Sequence, residues 1–151
     1  MNVGNLVIPD EIQLLIDREI WPKNSMEMQE LKPFFSEDIV QKIAPEMSVI
    51  CFASPPFSTI KNMIDKGDYF WLDPNIDNSS VDLALVVDIG DFGMGTDTSI
   101  ALDYSKNIFC PSVIRLEWYK HNPDNPNITK ARWVKISDSF SEFCRMLEID
   151  L

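Results

Sequence analysis

Histidine is almost missing from this chain, with His121 the only one in 151 residues. It sits in a polar stretch, and there is no Gly-x-Ser-x-Gly, so a serine or cysteine hydrolase has no base and no nucleophile elbow to build on. Cysteine is scarce and odd in number. Cys51, Cys110 and Cys144 stand far apart in the sequence, which excludes a disulfide framework or a thiolate metal site and leaves buried, reduced thiols as the expectation. Long apolar runs are lacking: in the central region the longest is Leu83 to Val87, far short of the ~20 residues of a membrane-spanning helix. The first basic residue is Arg18, so no secretory leader is visible, and the chain reads as a cytosolic protein.

Bases are also few, 13 against 24 acids, for a formal charge of −11. The imbalance is local. Between Asp65 and Asp103 stand nine aspartates, no glutamate and only Lys66, a net of −8, whereas the preceding part carries −4 and the following part +1. Such a field repels nucleic-acid phosphates and anionic membranes and speeds the encounter with a basic partner, although acidic surfaces also serve solubility alone.

What is present in quantity is apolar bulk. The 45% hydrophobic content, with four Trp, nine Phe and three Tyr, suits a single domain spanning residues 1–151 that buries about 70% of its unfolded surface. The chain is organised around residues 81–118. Val81, Leu83, Leu85, Val87 and Ile89 alternate with Asp82, Ala84, Val86 and Asp88, which predicts a strand. Gly90, Gly93 and Gly95 follow, where a connection requires positive φ or a close backbone approach. Thr98, Ile100, Leu102 and Tyr104 make a second strand, and Val113, Ile114, Leu116 and Trp118 a third, expected to pair as an antiparallel meander.

Around this centre the spacing predicts helices over Asp10–Trp21, Ser36–Ala44 and from Ser54-Pro55-Pro56 to Gly67. Strands are expected at Met47–Phe52, Asp68–Leu72 and Ala131–Ile136, with polar loops at Pro74–Ser80 and Lys120–Thr129. Ser139-Phe140-Ser141-Glu142 is a capping box that opens a closing helix lined by Phe140, Phe143, Cys144 and Leu147. The fold class is α+β, a mostly antiparallel or mixed central sheet of about five or six strands with helices packed around it.

Each chemical motif has a plainer reading beside it. Asp91-Phe92-Gly93 matches a kinase magnesium tripeptide, but the phosphate-covering glycine loop, the strand lysine and the catalytic loop are missing. Asp73, Asn75 and Asp77 occupy positions 1, 3 and 5 of a calcium loop that then fails at Asn78 and Ala84, leaving a polar turn. Asp88, Asp91, Asp97 and Asp103 crowd the glycine-rich connection without a basic clamp for phosphate. No catalytic residue, metal or cofactor is therefore assigned. The sheet's second face reads as small apolar residues between acids, with Asp82, Ala84, Val86 and Asp88 beside Ser99, Ala101 and Asp103. That is either a docking surface with a charged rim or a face covered by one of the chain's own helices. The docking reading assigns partner contacts to Asp82, Asp88, Asp91, Asp97 and Asp103, with Phe92 and Met94 as anchors at the loop tip.

Ile89-Gly90-Asp91 with Gly93 and Gly95, Ile100-Ala101-Leu102-Asp103, then Pro111, Val113 and Trp118, and finally Ser139-Phe140-Ser141-Glu142-Phe143 follow in an order and spacing similar to the SUKH superfamily, the Smi/Knr-like domains. The resemblance covers somewhat under half the chain. Toward the N-terminus only Ile8-Pro9 matches the family's Leu-Pro. It implies an α+β fold without a catalytic centre and, for bacterial members, an immunity protein that binds and neutralises a toxin, often a nuclease. An acidic surface suits a toxin made basic in order to hold nucleic acid. The alternative role is a regulatory or scaffold module that binds several partners without a toxin.

Overall fold

The computed structural model describes residues 1–24, 34–93, 97–125 and 127–151. Met94 and Gly95 lie outside them, as does most of the unassigned stretch 23–32. The elements run β1 (Asn2–Val3), β2 (Leu6–Val7), α1 (Asp10–Asp17), α2 (Glu37–Ile43), β3 (Cys51–Phe52), α3 (Ile60–Asp65), β4 (Ile76–Asp77), β5 (Val86–Asp91), β6 (Ser99–Asp103), β7 (Ser112–Lys120), β8 (Thr129–Ser137) and α4 (Phe140–Met146). β1 and β2 form a small hairpin. The other six strands make one mixed sheet in the order β3-β5-β6-β7-β8-β4, antiparallel except where β4 runs parallel to β8. The α+β expectation and the β5–β6–β7 meander are what the structure has.

Strand alternation divides the apolar residues between two cores, one on each side of the sheet. On the first face Val87, Ile89, Ile100, Leu102 and Val113 meet Ile12, Leu15 and Ile16 of α1, Val40 of α2, and Phe140, Phe143 and Leu147 at α4. Trp21 stacks flat on Phe52 there, with centroids 3.9 Å apart. On the second face Val86, Ala101, Ile114, Leu116, Ala131 and Trp133 meet Ile60 of α3 and Trp71.

Several predicted elements change because a side-chain acceptor claims the backbone locally. The strand expected from Val81 begins only at Val86. The Asp82 carboxylate accepts from Ala84 N at 3.0 Å and holds Leu83–Leu85 in a 3-10 turn, so Val81 and Leu83 join the second core while Leu85, Val87 and Ile89 keep the first. Asp68–Leu72 is likewise no strand: Asp68 accepts from Phe70 N and Tyr69–Leu72 is a 3-10 turn. The third helix starts at Ile60 instead of after Ser54. Thr59 Oγ1 accepts from Asn62 N at 3.1 Å, and the preceding residues, bent at Pro55-Pro56, are held beside β5 at both ends, with Ala53 N donating to Ile89 O and Asp88 N to Ser58 O. Helix α1 stops at Asp17, before Glu19 takes a φ of 61°. Within the expected Pro74–Ser80 loop, Ile76–Asp77 adds the parallel edge strand. Helix α4 is capped as expected by Ser139, which accepts from Glu142 N at 3.1 Å, but the returning Glu142 carboxylate takes Asp138 N rather than the cap residue's own. Cys51 and Cys144 are buried thiols, whereas Cys110 is exposed.

Candidate functional site

β5 and β6 diverge after Asp91, and the chain re-enters the sheet at Ser99. Gly90 is required here by close approach. A Cβ on it would stand 2.7 Å from the carbonyl oxygen of Cys51 on β3, so only glycine lets the edge strand pair at Phe52↔Gly90. Asp91 ties the connection together. Its Oδ1 accepts from Gly93 N at 3.0 Å and from Thr98 Oγ1 at 2.7 Å, and its Oδ2 from Thr98 N at 3.2 Å. Asp97 follows with a φ of 55°, a left-handed conformation that aspartate tolerates better than most residues, and its carbonyl accepts from Trp118 Nε1 at 3.0 Å.

This junction forms the floor of a cleft of about 360 Å³ on the second face of the sheet. One side is β3, β5 and β6, with Cys51, Asp88, Gly90, Asp91 and Ser99; the other is α3 and the turn after it, with Met63, Asp68, Phe70 and Trp71. Asp97 and Gly93 line it from the connection, and no basic residue is among its described lining residues. Asp88 lies at the bottom, where Ser99 Oγ donates to its Oδ1 at 2.5 Å. Burial pushes its carboxyl up to about 7, reinforced by the negative charges of Asp91 and Asp68 and only partly offset by the hydrogen bonds from Ser99 and Gly90. Trp71 is 4% exposed, and its indole Nε1 has no hydrogen-bond partner among the described residues. Tyr69 and Leu72, on the same 3-10 turn as Phe70 and Trp71, do not line the cleft and are 69% and 58% exposed.

Of the residues expected to form a docking surface, Asp88, Asp91 and Asp97 come together in this cleft. Asp82 does not line it and holds a 3-10 turn instead. Asp103 pairs with Val86 at the far end of β6, four residues and ~13 Å along the strand from Ser99, and its carboxylate accepts from Ser105 N. Phe92 is no surface anchor: it is 2% exposed, in the first core, with the Arg115 guanidinium 5.8 Å above its ring. Met94 falls outside the described residues. Between the docking face and the covered face, the second face is mostly covered, by α3 and Trp71, and the cleft is what that cover leaves open.

Sequence reasoning missed the wall opposite. The aromatic composition of Asp68–Leu72 suggests a strand, whereas Gly67-Asp68 before three aromatics is the signal of a helix stop and an Asx turn that present rings on a tight bend. It also missed Arg115, 4% exposed on β7, which reaches Glu46 with one amino group and Glu117 Oε2 with the other at 2.7 Å. For Glu46, burial works upward, but the hydrogen bond and charge of Arg115, together with a backbone hydrogen bond at Glu46 itself, outweigh it and the carboxyl is lowered.

The positions that match part of a calcium loop are otherwise employed, since Asp73 accepts from Asn75 N and Asp77 from Ser79 N. His121 lies exposed beyond β7, its ring beside Tyr119, and does not line the cleft. Among the described residues no helix is long and apolar enough to cross a membrane. No family model, curated protein or solved structure matches the chain.

Proposed function

We propose that this chain is a non-enzymatic binding protein that neutralises a basic toxin domain, of nuclease type, by direct contact through the cleft face. The observation that carries the reading is the gathering of Asp68, Asp88, Asp91 and Asp97 around one apolar-walled cleft whose described lining holds no base. Met63, Phe70 and Trp71, which wall it, supply the apolar and aromatic area on which protein interfaces depend. The resemblance to SUKH immunity proteins supports the same role, and the single histidine is not among the cleft's lining residues.

The test is co-expression with a basic protein encoded beside this one, read by co-purification and by rescue of growth. Charge reversal at the exposed positions Asp68→Lys and Asp97→Lys should abolish rescue while leaving the circular dichroism spectrum unchanged. Rescue that survives both reversals refutes the cleft as the contact. Weak binding of several unrelated partners, with no rescue, would instead indicate a scaffold.

A further inference from the structure

The cleft's chemistry is specific enough to name what enters it. Two kinds of group surround the same space: carboxylates from Asp68, Asp88 and Asp97, and apolar walls from the thioether of Met63 and the rings of Phe70 and Trp71. A divalent metal ion would require several oxygens converging at one point, and among the described residues no three acidic, His or Cys side chains are so placed. A neutral apolar ligand would leave a carboxylate at the floor facing hydrocarbon. A long cationic side chain answers both demands, since its stem lies along apolar walls while its head meets the acids. Arginine fits better than lysine, because its planar guanidinium stacks on aromatic faces and forks onto carboxylates. The volume of about 360 Å³ is at the small end of ligand clefts, which run from roughly 300 to 1,000 Å³.

We infer that the cleft is a socket for one arginine side chain of a protein partner, with its stem along Met63, Phe70 and Trp71 and the guanidinium held between Asp88 and Asp68. This rests on the binding role proposed above and specifies its central contact.

The probe is the blocked tripeptide acetyl-Gly-Arg-Gly-amide, titrated into the intact chain to about 10 mM, a range suited to so small a ligand. The readout is the NMR shift of the Trp71 indole N–H and of the Gly90 and Ser99 amides. These signals should move with the arginine peptide, move less with its lysine counterpart, and stay still with the citrulline analogue, which keeps the shape and loses the charge. Asp88→Asn with Asp68→Asn should weaken binding at least tenfold. Equal binding of lysine or citrulline, shifts confined to another surface, or no shift at all would overturn the socket. The two proposals fail separately. A toxin that is neutralised while the peptide leaves the cleft silent removes the socket alone, and a peptide that binds while no toxin is neutralised removes the toxin role alone.

Discussion

Asp88→Asn should make the protein more stable, and by an amount that depends on pH. The substitution keeps an oxygen for Ser99 Oγ to donate to while removing a charge from the cleft floor. Moving the carboxyl from its ordinary 3.8 to about 7 corresponds, at about 1.4 kcal/mol per factor of ten, to a destabilisation of at most ~4 kcal/mol once the group is ionised. Residual contact with solvent through the cleft reduces this, and 1–3 kcal/mol is the order expected, roughly. Below about pH 4 the proton is bound in the folded and unfolded chains alike, so the asparagine is near neutral. As pH rises, the unfolded chain ionises first while the folded one retains its proton. The native carboxyl therefore costs increasing stability until it ionises near 7, after which the cost is constant. Urea unfolding of both proteins at about pH 5, 6.5 and 8 measures the difference, which should widen by roughly 1–2 kcal/mol across the series. A constant difference, or a variant that loses stability toward pH 8, refutes the account of Asp88.

Gly90→Ala places a methyl against the Cys51 carbonyl and should cost roughly 1–3 kcal/mol, with hydrogen exchange accelerated at Cys51 and Phe52; normal stability would mean that β3 can shift without loss. Ser139→Ala removes the α4 cap and should cost ~1 kcal/mol in urea unfolding, with Ser139→Asp restoring most of it. In the native protein a thiol reagent should modify Cys110 alone, since Cys51 and Cys144 are buried and burial, with Glu11 nearby, pushes the Cys144 thiol up to about 12; mass spectrometry showing a second fast site would contradict the packing.

The parts of the fold that were legible in the sequence are those in which periodicity and burial agree. β5 through β8 and α4 alternate or repeat cleanly because the strands send successive residues to opposite sides of the sheet, each side with its own core, while α4 keeps one stripe in the first core. The errors cluster where aspartate, serine or threonine supplies a local acceptor. Alternation from Val81 to Leu85 is real as a pattern, yet Asp82 bonds Ala84 N and the two halves of the run enter opposite cores. Such competition between a side chain and the ladder leaves no trace in hydrophobicity. The cleft was half legible for a related reason. Asp88, Asp91 and Asp97 could be placed near one glycine-rich connection, but their joining with Asp68 and Trp71 depends on α3 crossing the sheet, a tertiary fact.

The excess of aspartate over glutamate between Asp65 and Asp103 has a local cause that must be separated from the binding role. Six of the nine, Asp68, Asp73, Asp77, Asp82, Asp91 and Asp103, accept from the backbone N–H two residues on, a reach that the longer glutamate side chain serves poorly. Turn chemistry explains the choice of side-chain length without requiring charge. Elsewhere the chain makes the same turn with asparagine, at Asn107 to Phe109 N and Asn122 to Asp124 N. The charge between Asp65 and Asp103 is thus surplus to the turns, and aspartate-to-asparagine exchanges separate the two roles. Replacing Asp73, Asp77, Asp82 and Asp103 together should keep the fold and slow association with a basic partner only through the weaker long-range field, leaving the dissociation rate within about twofold. Replacing Asp68, Asp88 and Asp97 should keep the fold as well, and should raise the dissociation rate by at least roughly tenfold, because paired charges at a desolvated centre act on dissociation. Surface plasmon resonance over a range of salt distinguishes them. Equal effects from the two sets would show that the partner senses total charge, and the cleft would lose its claim to be the contact.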